Sequence, residues 1–188
     1  SGQAASEDDQ CSLLVKFQQQ MSEGVLWDNG CSAGWWPHNT TPDCCSWNRR
    51  TITCDANGKL TILNMAGCGI QGQFVDGHSV FRIPTLQEFY LDKQDSDKGV
   101  YGPLPGVDVP LAKALTNFTA NTNSLSGPLE MFGSLTNLKQ LDLHYNQYSG
   151  TLPDVWHLMT HLHHLPLANN QLQGSIPSSW AAFTELDT

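Results

Sequence analysis

Basic residues are scarce in this chain, and the scarcity removes two classes of partner. Nine Lys+Arg stand against 18 Asp+Glu, for a formal net charge of −9, so nucleic acid and anionic membrane surfaces are poor matches. Long apolar runs are missing too: none approaches the roughly 20 residues that a bilayer-spanning helix needs. The chain opens on Ser1 rather than Met, which is expected of a mature chain freed of its signal peptide. Cysteine is absent after Cys68. The P-loop pattern G-x-x-x-x-G-K-[ST] and the metalloprotease pair H-E-x-x-H do not occur either, so no catalytic residue is assigned.

What cysteine there is lies in the first third: Cys11, Cys31, Cys44, Cys45, Cys54 and Cys68. An even number crowded into one end is expected to form a disulfide framework in an oxidising compartment. Zinc is the rival reading, but no paired C-x-x-C is present and adjacent Cys44 and Cys45 do not readily share one tetrahedral ion. Two glycosylation sequons agree with a secreted route, at Asn39 and Asn117.

Internal repetition dominates the rest. Leu135, Leu138, Leu141, Leu143, Asn146, Tyr148, Gly150, Leu152 and Pro153 set a frame. The frame returns 24 residues later at Leu162, Leu165, Leu167, Asn170, Leu172, Gly174, Ile176 and Pro177. Leu115, Phe118, Ala120, Asn123, Leu125 and Gly127 fill it upstream. A looser copy starts at Leu86, Phe89 and Leu91, with an insertion at Asp95–Lys98, and the first runs from Leu60 through Cys68 to Gly72. Leu186 opens a further copy, so the chain is expected to end on an open repeat edge.

In such a frame L-x-x-L-x-L is a short strand with its Leu side chains in a narrow core. The Asn turns the chain and satisfies backbone groups left unpaired at the bend. No single copy buries its apolar edge, so copies must stack. Each repeated Leu, Asn, Gly and Pro is therefore structural, and function belongs to the variable positions between them. Residues 1–59 read as a cap: an acid-rich helix start at Ser6–Asp9, an apolar helical face of Leu13, Leu14, Phe17 and Met21, then Trp27, Trp35, Trp36 and Trp47 among the cysteines. Residues 60–188 read as about five repeats, the last incomplete.

The cap order Cys11-Ser-Leu-Leu-Val-Lys-Phe17, Trp27, Asp43-Cys44-Cys45-Ser-Trp47, Thr53-Cys54-Asp55 resembles that of plant leucine-rich-repeat receptors and polygalacturonase-inhibiting proteins. The repeats carry the plant-type N-x-L-x-G-x-I/L-P signature. The stretch Ser149–Met159, with Trp156 and later Trp180, is also similar to repeats of kinetoplastid surface antigens. The resemblance implies a solenoid of α/β class, a right-handed superhelix with a short parallel sheet on its concave face and a disulfide-bonded N-terminal cap. It implies bridges Cys11–Cys44 and Cys45–Cys54, with Cys31–Cys68 the remaining pair; a free thiol at Cys68, in the Asn place of the first frame, is the alternative.

Five of seven histidines fall at His144, His157, His161, His163 and His164. The frame puts His144 and His164 on the concave face and His157 and His161 on the convex return, too scattered for a metal site. Concave positions of interest are Tyr90, Gln140, Asp142, His144, Tyr145 and His164. Aromatic and charged side chains there suit a protein or glycan partner. Replacing both Tyr145 and His144 with Ala is expected to weaken binding and leave folding intact. The function expected is a non-enzymatic extracellular recognition or adhesion module without a cofactor; the alternatives are an inhibitor of a polysaccharide-degrading enzyme and a structural subunit of an extracellular assembly.

Overall fold

The computed structural model describes residues 7–21, 31, 43–77, 79–93 and 99–187. Ser6, Trp27, Trp35, Trp36, the Asn39 sequon and the Asp95–Lys98 insertion lie outside the described residues.

Helix α1 (Glu7–Met21) puts Leu14, Phe17 and Met21 wholly inside and leaves Leu13 8% exposed. These residues recur at helical spacing, so one face is apolar and must find a partner. It finds the first repeat. The Gln10 side chain donates to Gly58 O (2.9 Å) and accepts from Leu60 N (3.1 Å). The end of α1 presses on Gly72, where an added Cβ would stand 2.6 Å from Gln20 O and 2.9 Å from Met21 Cα. Only glycine tolerates that approach, and its φ of 144° suits glycine as well.

Strand β1 (Ile52–Cys54) pairs antiparallel with β2 (Leu60–Asn64), so the edge of the repeat sheet at this end is covered by the cap. From β2 onward the sheet is parallel: β3 (Glu88–Tyr90), then β5 (Asn117–Thr119), then β7 (Gln140–Asp142), in the order β1-β2-β3-β5-β7. Leu63, Phe89, Phe118 and Leu141 stand opposite one another in register or in equivalent places and are completely buried. The last frame contributes only an isolated bridge, Gln140 to His164. Pro166 lies two residues on and has no N–H to extend the ladder.

Between these strands, β4 (Tyr101–Pro103) pairs with β6 (Ser124–Ser126), and β8 (Ser149–Thr151) with β9 (Gln171–Gln173). Short 3-10 turns then return each coil, at Val80–Arg82, Val109–Leu111, Glu130–Ser134, Asp154–Leu158 and Ser178–Ala182. Aromatic rings run through the core in contact: Phe81 with Phe118 (5.4 Å), Phe118 with Phe132 (6.0 Å), Phe132 with Trp156 (6.2 Å), Trp156 with Trp180 (5.6 Å). The indole N–H groups of Trp156 and Trp180 donate to Leu129 O and Pro153 O, which gives a buried polar handle its partner.

The frame asparagines act as brackets between coils. Asn146 accepts from Leu125 N (2.9 Å) and donates to Ala120 O (2.8 Å) and Leu143 O (3.1 Å). Asn123 and Asn170 repeat the arrangement, toward Val100 N and Leu91 O and toward Tyr148 N and Leu143 O. Cys68, in the equivalent first place, is bonded to Cys31 instead. The other bridges are Cys11–Cys44 and Cys45–Cys54.

A second buried clasp ties the convex turns. The fully buried Asp108 carboxylate accepts from Gly77 N (2.8 Å), Ser79 N (3.3 Å), Ser79 Oγ (2.9 Å) and Arg82 Nη1 (3.0 Å). Four donors compensate the desolvation of one buried charge.

Candidate functional site

Side chains of the parallel sheet alternate between core and concave surface, and the concave ones form rows that cross the strands. One row carries Glu88, Asn117, Gln140 and His164; the next carries Tyr90, Thr119 and Asp142. Asp92, Asn121 and His144 follow two residues further along their coils.

Most of this surface is bonded to itself. The Asp92 carboxylate accepts from Thr119 Oγ1 (2.5 Å), Asn121 N (3.0 Å) and Asn121 Nδ2 (2.9 Å). The same Asn121 amide reaches Asp142 Oδ2 (3.2 Å), and Asp142 Oδ1 lies 2.5 Å from His144 Nδ1 and 3.2 Å from His144 N. Two carboxylates, an amide, a hydroxyl and an imidazole thus form one chain across three coils. Burial pushes the Asp92 carboxyl above its ordinary range, a shift that the Thr119 and Asn121 bonds partly oppose. Tyr90 donates to Glu88 Oε2 (2.6 Å) and accepts from Asn117 Nδ2 (3.5 Å); burial first, and the Glu88 bond second, push its phenol up.

Five of the six expected concave residues come together: Gln140, Asp142, His144, Tyr145 and His164 share the last two coils. Tyr90 is separated from them by β5. Two expectations need correction. Asp142 is only 7% exposed, because Asn121 and His144 saturate it, so it positions His144 rather than offering a free carboxylate. The His144 side chain is half-buried on that carboxylate. His144→Ala would therefore take one of three partners from a mostly buried carboxylate, leaving it the Asn121 amide and the backbone N–H of residue 144, and is not neutral for folding.

Tyr145 is different. It is 55% exposed, its ring meets His144 edge-on at 5.2 Å, and its backbone is left-handed at φ 53°. Gly67, Lys93, Thr122 and Asn169 share that left-handed position in their own coils (φ 48–67°), so the bend belongs to the frame and not to the tyrosine. It turns the side chain at this place out of the coil.

Asp92, Thr119 and Asn121 also lie on the concave face, and the sequence did not single them out as site residues. The available signal was their place in successive frames: read across the coils instead of along them, they form the polar chain with Asp142 and His144. His161, in the turn that ends the return, lines a cleft of about 490 Å³ beside the sheet with Gln87, Ala114, Thr116, Asn137 and Lys139. Among the described residues no group of three or more His, Cys, Asp or Glu is placed to hold a metal ion.

Two strings do spell patterns that elsewhere mark a dinucleotide site or a nucleophilic serine, although no catalytic residue is assigned. Gly67–Gly72 reads G-x-G-x-x-G, but it follows β2 as a repeat turn and opens no helix, so it lacks the strand-to-helix setting a dinucleotide site needs. Gly30–Gly34 reads G-x-S-x-G; Cys31 within it is disulfide-bonded, and the serine lies outside the described residues.

The family model for the Leucine Rich Repeat matches residues 137–159 and 161–183. Receptor-like protein 49 of Arabidopsis thaliana is 30% identical over 131 residues, covering 63% of this chain and 14% of the relative. Receptor protein-tyrosine kinase CEPR1 of Arabidopsis thaliana is 24% identical over 106 residues, 54% of this chain and 10% of the relative. The chain thus spans a small part of both curated relatives. Among solved structures, the ectodomain of the Arabidopsis thaliana receptor kinase GASSHO1/SCHENGEN3 in complex with CASPARIAN STRIP INTEGRITY FACTOR 2 superposes with a TM-score of 0.77. It is 25% identical and covers 94% of this chain and 20% of that one. The ectodomain of the Arabidopsis receptor kinase HAESA, in complex with an IDA peptide hormone ligand, gives a TM-score of 0.77, 25% identity, and coverage of 96% and 28%. With its stacked Asn-bracketed coils, its disulfide-bonded cap and these matches, the chain is a leucine-rich-repeat protein of the plant type.

Proposed function

We propose that the chain is a non-enzymatic extracellular recognition module that binds a peptide or protein segment across the last coils of its concave face. The observation that carries this reading is Tyr145: a large aromatic side chain, 55% exposed, standing beside polar groups most of which are bonded to one another. A rigid, self-bonded polar network beneath an exposed ring is a preorganised anchor, since little side-chain ordering remains to be done on binding. Gln140 and His164 flank it as half-buried and exposed polar contacts, and Asp142 holds the His144 ring against Tyr145. The two ectodomains described above with bound ligands support a peptide rather than a glycan as the partner. Disulfides support an oxidising, extracellular setting.

A glycan on Asn117 would stand on β5, one strand from β7. That placement leaves the Tyr145 side of the face open, which is why the site is assigned to residues 140–169.

The test selects peptides from a random library on the intact, oxidised chain and measures their affinity for variants. Tyr145→Ala is expected to cost about 1–3 kcal/mol of binding, while Gln173→Ala on β9 changes nothing. Peptides that bind both variants equally would place recognition away from this face. Tyr145→Ala is used alone because its side chain carries no buried partner.

A further inference from the structure

The cleft beside the sheet is independent of the concave face and has its own chemistry. Its floor is a backbone rail at the second place of each frame: Thr116 N donates to Gln87 O (2.7 Å), Lys139 N to Thr116 O (2.7 Å) and His163 N to Lys139 O (2.8 Å). Consecutive coils therefore hold Gln87, Thr116 and Lys139 side by side at the strand spacing of about 4.8 Å. With Ala114, Asn137 and His161 these line a hollow of about 490 Å³, within the size range of small-ligand sites.

Charge makes the hollow distinctive. In a chain with twice as many acids as bases, residues 99–188 contain only two lysines and no arginine, Lys113 and Lys139. Both belong here. Lys139 lines the cleft; Lys113 precedes Ala114, and its carbonyl accepts from Asn137 Nδ2 (2.8 Å). The Lys113 ammonium is occupied by Ser134 O (2.8 Å), whereas no carboxylate among the described residues pairs with Lys139. No acid lines the cleft at all.

The remaining lining groups have sorted roles. Thr116 Oγ1 donates to Gln87 O (3.1 Å), which leaves its oxygen lone pairs as acceptors. Asn137 has one amide hydrogen committed to Lys113 O, which leaves its Oδ1 as an acceptor. Lys139 and the Gln87 amide remain as donors, with the His161 imidazole able to serve either way. A donor set around one unpaired ammonium fits an anion, and acceptors beside it fit hydroxyl groups.

We infer that this cleft binds an acidic sugar, its carboxylate or sulfate at Lys139 and its hydroxyls at Asn137 and Thr116. Lysine meets such an anion as a compact charge with three donors, and no carboxylate among the lining residues opposes it.

The test titrates the intact, oxidised, isotope-labelled chain with glucuronate, glucose 6-sulfate, glucose and inorganic sulfate, following backbone amide shifts. Glucuronate or glucose 6-sulfate should move Ala114, Thr116, Asn137 and Lys139 saturably, and glucose should not. Lys139→Gln should weaken that binding at least tenfold, and Lys16→Gln, in the cap helix, should leave it unchanged. Lys139→Gln alters only an exposed side chain, so the amide spectrum itself reports that the fold is kept. Absence of saturable shifts with either acidic sugar, equal shifts with glucose, or an unchanged affinity in Lys139→Gln would overturn the assignment. Inorganic sulfate binding as tightly as the sugar acids would overturn the sugar part of it, leaving an anion site. Because Tyr145 takes no part in these shifts, failure here leaves the peptide reading standing, and the reverse also holds.

Discussion

Asn146→Ala tests the bracket role of the frame asparagine most directly, because its surroundings allow the cost to be worked out group by group. Asn146 is 8% exposed. Removing its amide takes the acceptor from Leu125 N, at 2.9 Å, and donors from Ala120 O and Leu143 O. The two carbonyls are not stranded: Ala120 O keeps the Asn123 amide at 3.3 Å, and Leu143 O keeps the Asn170 amide at 2.9 Å. Leu125 N–H keeps nothing and sits on a fully buried residue. One orphaned buried donor costs about 1–3 kcal/mol, and the lost amide bonds add about 1 kcal/mol, so the change should cost about 2–4 kcal/mol. Asn170→Ala is the internal control. It strands Tyr148 N in the same manner, but Asn170 is half-buried on the last coils, where water can replace it, so about 1 kcal/mol is expected. Urea unfolding of the oxidised chain measures both, and hydrogen exchange at Leu125 should quicken in the first variant. Equal costs for the two variants, or an Asn146→Ala cost below that of Asn170→Ala, would refute the reasoning.

Two further outcomes concern buried polar groups. Tyr148 is 1% exposed, its hydroxyl has no hydrogen-bond partner, and burial pushes its phenol far up; Tyr148→Phe should therefore be neutral or stabilise by about 1 kcal/mol in urea unfolding, whereas a loss of that size would mean the hydroxyl is bonded. The Asp92 carboxyl is raised above its ordinary value of 3.8 by burial, so its favourable contribution is fully present below that value and is lost as pH rises through the folded-state value. Asp92→Asn should accordingly gain stability relative to the parent as pH climbs from about 3 to 7; a stability difference that stays flat or falls over that range would show the carboxyl is not raised.

What the sequence determined by itself was the periodic part. Leu at fixed intervals has one physical outcome, a narrow core shared between coils, and the Asn that follows must satisfy the bend, so the repeat frame alone assigns Leu141, Leu143 and Asn146 their places. The cap helix followed for the same reason, from Leu13, Leu14, Phe17 and Met21 on one face. Tertiary structure alone decided which polar residues are free. Asp92, Thr119, Asn121, Asp142 and His144 are up to 52 positions apart in sequence, and their bonds run across coils, perpendicular to the direction in which a frame is read. That is why Asp142, an apparent contact residue, proved to be a buried support. Side-chain hydrogen bonding between coils depends on rotamers and on how closely successive coils approach, and a repeat frame specifies only which face a residue occupies.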